Sequence, residues 1–423
     1  MTSPITTTNV LIEGWLDVPH SYAIVNIYQI LALLKVSSLK IYFKQVPKYN
    51  ENWSTIDLNL LVTSQEKELL LNLECVDKNT RIDLVYRISF PINILHGNND
   101  TKPTLVFYTS EFQNLPDSSF CFGYKSNKEV TFNDFLWCIK NRYIIPITPS
   151  VWSSMSLKRN GYDPIIIPHG VDVSKYNRNK DDTERVKMRE LLGIDKDAFV
   201  FLNIGAATSN KNIKSIIKCF YKTSYINDNI YLVIKGVESL YSCEGRILGY
   251  IKELINEGSI DRSRWKYIRH RFKYIPDTYD YNEMRNLYNT CDCYISPYIA
   301  EGFNMPVLEA IACGIPVIVS KGGPTDDFTN DNFARYPQTV VMRNDLNQHL
   351  LITDDISIQN IMISIMTDKV FLDSVKYLGP EFIKQNYTWE HISERLSSLF
   401  LNIVNENEII KTAKRYNLST IKM

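Results

Sequence analysis

The sequence predicts an α/β protein of two Rossmann-like, doubly wound domains that face a central cleft. Three observations carry that expectation. Apolar runs of strand length alternate with amphipathic stretches along the chain, the pattern of a parallel sheet with crossover helices. The 423 residues exceed what one ordinary core accommodates and suit two domains. A polar, charged stretch at 174–183 has no apolar period and offers a linker between two halves.

In the first half, strands are expected at 9–13, 39–43, 84–88, 104–108, 143–147 and 165–167, with helices at 22–35, 133–141 and 151–160. The second half repeats the rhythm more clearly. A helix at 183–192 stops at Gly193, and strands follow at 199–204, 230–235, 267–270, 293–295 and 317–319. Helices at 213–222, 245–256, 281–288 and 307–313 separate them. Ligands of such sheets bind beyond the carboxyl ends of the strands, so the functional residues should cluster there.

Composition narrows the function. Hydrophobic residues make up 44% and charged residues 22%, as in a packed globular protein. Lys plus Arg equals Asp plus Glu at 47 each, which argues against non-specific nucleic-acid binding. No apolar run reaches membrane-spanning length, and the polar, Thr-rich start lacks the features of a secretory signal. Eight cysteines without framework spacing read as reduced thiols of a cytoplasmic protein. Cys291 and Cys293 lack a second Cys/His pair at zinc spacing, so buried thiols are expected there. Asp195-Lys196-Asp197 has a metal-binding spacing but the setting of a polar turn behind Gly193. Neither a metal nor a cofactor is expected.

The richest segment runs from Cys293 to Pro316. A strand ends, a loop holds Glu301 and Gly302, and a helix opens with Pro306, where a missing N–H costs nothing. Free amides and the positive dipole end at such a helix start suit a diphosphate. Gly302 would let the backbone approach an anion closely. Glu309, in the first turn, would remain ionised and accept from a ribose diol, with Glu301 facing the same pocket from the sugar side.

This segment, Glu301-Gly302-Phe303-Asn304-Met305-Pro306 followed by Glu309, resembles the donor motif of family-4 retaining glycosyltransferases. The usual pattern, Glu-Gly-Phe-Gly-x-Pro, differs only at Asn304. The resemblance implies the GT-B fold and a nucleotide-sugar donor. It gives Glu309 the ribose, Glu301 the transferred sugar, and the backbone of Phe303, Asn304 and Met305 the phosphates. The loop from Gly205 to Asn212 resembles the family's second donor motif, in which an Arg after the Gly and a later Lys clamp the phosphates. Lys211 matches the Lys, but Ala206 stands in the Arg position. It is not a P-loop, because Asn210 and Asn212 replace the required Gly and Ser/Thr.

Gly322 and Gly323 resemble the loop that closes over the donor, and turn flexibility explains them equally well. The helix introduced by Trp389 resembles the terminal helix of the fold, which crosses back to the first domain. The implied division is 1–175 for the acceptor, 176–387 for the donor, and 388–423 for the crossing helix and tail.

On the acceptor side, Glu111 ends a strand and loop and could orient an acceptor hydroxyl, or be a plain surface turn residue. His20 could bind acceptor or donor phosphate, beside Ser21 as a helix N-cap. His169 belongs to a segment like the family's domain junction and reads as structural. His96, His270, His349 and His391 form no cluster.

The family implies front-face substitution with retention: Lys211 and the helix amides absorb the leaving charge, and the departing phosphate takes the acceptor proton. The acceptor is left open among glycan, lipid and protein, as is peripheral membrane contact. Two alternatives stand beside it: a weak or inactive GT-B binder of nucleotide sugar or glycan, and an enzyme of the same fold such as a nucleotide-sugar epimerase.

Overall fold

The computed structural model of the protein describes residues 7–51, 53–94, 102–123, 129–238 and 240–415, without the side chains of 407–415. The first lobe comprises β1 (Thr8–Gly14), α1 (Ser21–Leu33), β2 (Leu39–Gln45), α2 (Ser64–Leu71), β3 (Leu84–Ile88), β4 (Ile92–Asn93), β5 (Thr104–Phe107), β6 (Phe120–Cys121), α3 (Phe132–Lys140), β7 (Ile145–Thr148), α4 (Val151–Lys158) and β8 (Ile165–Ile166). Its main sheet has the order β2-β1-β3-β5-β7-β8, parallel throughout. Helices cover both faces, so the central strands are buried on both sides and read as continuous apolar runs.

The second lobe contains α5 (Thr183–Leu192), β9 (Phe199–Ile204), α6 (Ile213–Thr223), β10 (Ile230–Lys235), α7 (Cys243–Asn256), α8 (Arg262–Ile268), β11 (Phe272–Ile275), α9 (Tyr281–Thr290), β12 (Cys293–Ser296), α10 (Met305–Ala312), β13 (Val317–Val319) and β14 (Ala334–Arg335). The parallel order β11-β10-β9-β12-β13-β14 makes it doubly wound, with β9 and β12 neighbours at the centre. A hairpin of β15 (Thr339–Arg343) and β16 (His349–Thr353) follows, then α11 (Asp355–Ile365), α12 (Lys369–Asn386) and α13 (Trp389–Arg415).

One expected strand is wrong. Residues 267–270 finish α8 and a short 3-10 turn, and the strand begins only at Phe272. Asp261 caps α8 by accepting from the Arg264 amide, and Trp265 and Ile268 are buried one helical turn apart. The elements between β13 and α13 escaped the sequence reading. Val340, Val341 and Met342 of β15 are all more than half exposed, so no alternation marks that strand. Pro380 inside α12 obscures a helical pattern.

The chain returns to the first lobe through α13. Trp389, Ile392, Leu396 and Phe400 lie on one face of the helix and enter the first-lobe core beside α1. Trp389 stacks on Tyr28 with ring centres 5.6 Å apart. The two crossings between lobes touch: Val171 N–H donates to the Tyr387 carbonyl at 2.8 Å. A Cβ at Gly170 would come within 2.7 Å of the Trp389 nitrogen, so only glycine fits there. Phe400 is fully buried and packs edge-on against Tyr86. Phe400→Ala should therefore destabilise the first lobe by about 3–5 kcal/mol in urea unfolding, although it lies in the last helix.

Candidate active site

Because β9 and β12 pair side by side, the loops that leave their carboxyl ends emerge together. Asn210 joins those loops. Its carbonyl accepts from the Ile299 amide at 2.7 Å, and its Nδ2 donates to the Ala300 carbonyl at 3.1 Å. Asn212 Nδ2 adds a bond to the Pro297 carbonyl at 2.9 Å. Lys211, held between these anchors, pairs its ammonium with the Glu301 carboxylate, which is buried. Burial opposes the charge on Lys211, but Glu301 and Glu111 hold it above the ordinary lysine value.

Helix α10 starts at this point. Asn304 is its N-cap with φ 78° and ψ 65°, the left-handed region that Gly and Asn tolerate. That conformation accounts for the one departure from the motif: Asn replaces Gly where φ is positive, and its Nδ2 donates to Ser296 Oγ at 3.0 Å. Among the described residues, the amides of Phe303, Asn304 and Met305 have no protein acceptor, leaving an anion-receptive helix start.

Glu309 corrects an expectation. It lies past the first turn of α10, accepts from the Tyr288 hydroxyl at 2.7 Å, and burial pushes its carboxyl up to about 7. It is thus not a simple ionised first-turn acid. It lines an interlobe cavity with Met305, Tyr279 and Tyr281 of the second lobe and Tyr28 of the first. Glu301 and Glu111 are not in that lining.

The first lobe meets the site directly. Glu111 follows β5, and one of its carboxylate oxygens accepts from Asn210 Nδ2 at 3.2 Å. Burial raises Glu111 to about 7; Lys211 pulls it down and Glu301 pushes it up. The carbonyl of Gly302 accepts from Ser150 Oγ at 2.7 Å and from Ser153 Oγ at 3.2 Å. A Cβ on Gly302 would sit 1.9 Å from Thr109 Cγ2. Glycine is therefore demanded here by the close approach of the opposing lobe. The Val151 amide at the start of α4 donates to Asp327 Oδ2 at 2.8 Å, so the loop after Gly322 and Gly323 also touches the first lobe. Lys211, Glu301 and Glu111 are already together in this closed arrangement.

His20, rather than Ser21, is the N-cap of α1: its Nδ1 accepts from the Tyr22 amide at 3.2 Å. It stacks on Trp53, and burial lowers it to about 4, so it is neutral at pH 7. His169 is buried edge-on to Phe303 with ring centres 4.8 Å apart and lowered by burial to about 3. His270, His349 and His391 bond separately to Tyr267, Arg159 and Thr388, and His96 lies outside the described residues. Asp195 accepts from the Tyr231 hydroxyl. Cys291 and Cys293 are buried thiols, and Asp292 between them binds Arg185 at 2.6 Å and Arg189 at 2.8 Å. Among the described residues, no cluster of His, Cys, Asp or Glu could hold a metal, and no helix is long and apolar enough to cross a membrane.

Sequence reasoning missed Asn210, Tyr288, Thr109, Ser150 and Ser153 as site residues. Ser150 carries a legible local signal, since its hydroxyl caps α4 by accepting from the Ser153 amide. Its bond to Gly302 spans 152 residues and leaves no trace in the local sequence.

Two tests follow from this geometry. Gly302→Ala should destabilise the chain by about 1–3 kcal/mol through the clash with Thr109, and Thr109→Ser in the same chain should restore most of it in thermal unfolding. Glu111 and Glu309 are raised from 4.5 to about 7, so between those values the folded chain keeps protons that the unfolded chain has released. Stability should fall as pH rises through that window. In urea unfolding, Glu309→Gln should accordingly gain on the parent more at about pH 8 than at about pH 5.

Residues 184–348 match the family described as Glycosyl transferases group 1. The chain is 26% identical over 238 residues to the lipopolysaccharide 1,2-N-acetylglucosaminetransferase of Salmonella typhimurium, a match covering 56% of each chain. The chain spans about half the length of such curated relatives. Sucrose-phosphate synthase of Thermosynechococcus elongatus superposes with a TM-score of 0.62 at 14% identity, over 94% of this chain and 100% of that one. The Anabaena protein HepE, solved with UDP and glucose, superposes with a TM-score of 0.60 at 13% identity, over 93% and 100%. Identities this low speak to the fold alone. The chain has the GT-B fold, and the match to the group 1 glycosyltransferases falls within its second lobe.

Proposed function

We propose that the protein is a retaining, metal-independent glycosyltransferase that moves a sugar from a nucleotide diphosphate sugar to an acceptor hydroxyl. In this reading residues 1–175 bind the acceptor, 176–387 bind the donor, and 388–423 are the crossing helix and tail. The observation that carries it is the convergence of three features at one end of the second sheet. These are the Lys211–Glu301 pair, the open amides at the start of α10, and Glu111 from the facing lobe.

The chemistry runs as follows. The amides of Phe303, Asn304 and Met305 and the Lys211 ammonium take up charge as the diphosphate departs, the service a divalent cation performs elsewhere. Gly205, with φ 144°, lets the loop turn toward Lys211. Glu309 binds the ribose diol, and the donor hydroxyl displaces Tyr288 as its partner. The acceptor oxygen attacks the anomeric carbon from the face the phosphate leaves, and the phosphate oxygen takes its proton. Glu111, raised toward neutrality, orients the acceptor hydroxyl by hydrogen bonding. His20 meets the acceptor only as a neutral group. The acceptor is a glycan, lipid or protein, handled in the cytoplasm or at a membrane surface.

Ala206 favours a second reading, a donor-binding protein with weak or no turnover, since no cation follows Gly205. Incubation with UDP-, GDP-, ADP- and dTDP-sugars separates the two. Nucleoside diphosphate release that survives EDTA supports the enzyme; tight binding without release supports the binder. Lys211→Ala should lower release by about 10²–10³-fold. Glu309→Ala should raise the donor KM with the fold intact by circular dichroism. Inversion at the anomeric carbon of the product, read by NMR, would sink the retaining mechanism.

A further inference from the structure

Lys235 is the last residue of β10, the strand beside β9, and is only 7% exposed. Its Nζ donates to the adjoining Gly236 carbonyl at 2.8 Å and stands 5.6 Å from the centre of the Tyr279 ring. Among the described residues, no carboxylate lies within ion-pair distance of it. The nearest acids are otherwise disposed. Glu238 accepts from the Glu244 amide and the Tyr274 hydroxyl, and Asp277 is exposed. Burial holds this ammonium below the ordinary lysine value, and an anion arriving from outside the fold would stabilise its charge.

The position of Lys235 names that partner's chemistry. Its carbonyl accepts from the Gly205 amide at 3.0 Å, so the end of β10 is fastened to the loop that delivers Lys211. The Ala207 amide in the same loop donates to Cys243 Sγ at 3.3 Å, which closes the corner behind Lys235. Tyr279, beside the ammonium, lines the cavity that contains Glu309. Lys235 thus stands between the phosphate loop and the ribose pocket, on the side where Ala206 brings no charge.

We propose that Lys235 is a second phosphate-binding cation of this chain, meeting the donor diphosphate from the β10 side while Lys211 meets it from the β9 loop. The inference rests on the donor reading above and adds a residue that the sequence motifs do not mark. The ammonium of Lys235 exchanges the Gly236 carbonyl for a phosphate oxygen when the nucleotide binds.

Calorimetric titration of the full chain with UDP, GDP and ADP identifies the diphosphate that binds most tightly. Its affinity is then compared in Lys235→Met and Lys235→Arg, with the matching nucleoside titrated by NMR. Lys235→Met should lose at least about tenfold in diphosphate affinity, Lys235→Arg should recover most of it, and nucleoside affinity should change by less than about twofold. Equal losses for diphosphate and nucleoside would overturn the assignment in favour of a packing role. Unchanged diphosphate affinity in Lys235→Met would overturn it while leaving the donor reading intact. A parent protein that binds none of the three diphosphates would overturn both.

Discussion

The pairing of β9 with β12 is the constraint from which the site follows. These strands are far apart in sequence but adjacent in the sheet, and both run in the same direction. Parallel neighbours release their loops on one side, so a lysine after one strand and a glutamate after the other arrive within bonding reach. Asn210 then fixes the loops to each other through main-chain bonds to 299 and 300. The ion pair of Lys211 with Glu301 is a consequence of topology, refined by one asparagine.

The same region joins the lobes. Gly302 offers its carbonyl to two serines of the first lobe and leaves no room for a side chain against Thr109. Glu111 reaches Asn210 from the other direction. Close by, the chain crosses twice, these crossings bond to each other at Val171 and Tyr387, and His169 beside them packs on Phe303. Lys175 sits there, buried, paired with Glu66 at 2.7 Å and Asp172 at 3.1 Å and lying over the Tyr28 ring. A charged, aromatic junction thus adjoins the polar contact between the lobes, and its Tyr28, Asp172 and Trp389 line the cavity with Glu309.

Electrostatics divides the site into unlike parts. The whole chain is balanced at 47 basic and 47 acidic residues, so no global field draws an anion in. Attraction is local instead. Lys211 keeps its charge because two glutamates stand near it, whereas burial alone shifts Glu309 toward the neutral form. His20 and His169 are held neutral by burial. Lysines and amides are therefore the positive features of the cleft.

The sequence alone determined the alternation of strands and helices, and with it two parallel sheets, because period and turn residues are local properties. It also marked the segment from Glu301 to Glu309, since a strand, a loop, a proline-started helix and a glycine stop lie within one short stretch. It placed β11 too early, at 267–270, because the end of a capped helix and a short strand look alike over four residues. Tertiary structure decided the rest. Which residue needs glycine at 302, which carboxyls are raised, and which ammonium lacks a counter-ion all depend on neighbours distant along the chain. Burial and close approach are properties of assembled surfaces, and local pattern carries no information about what will stand opposite.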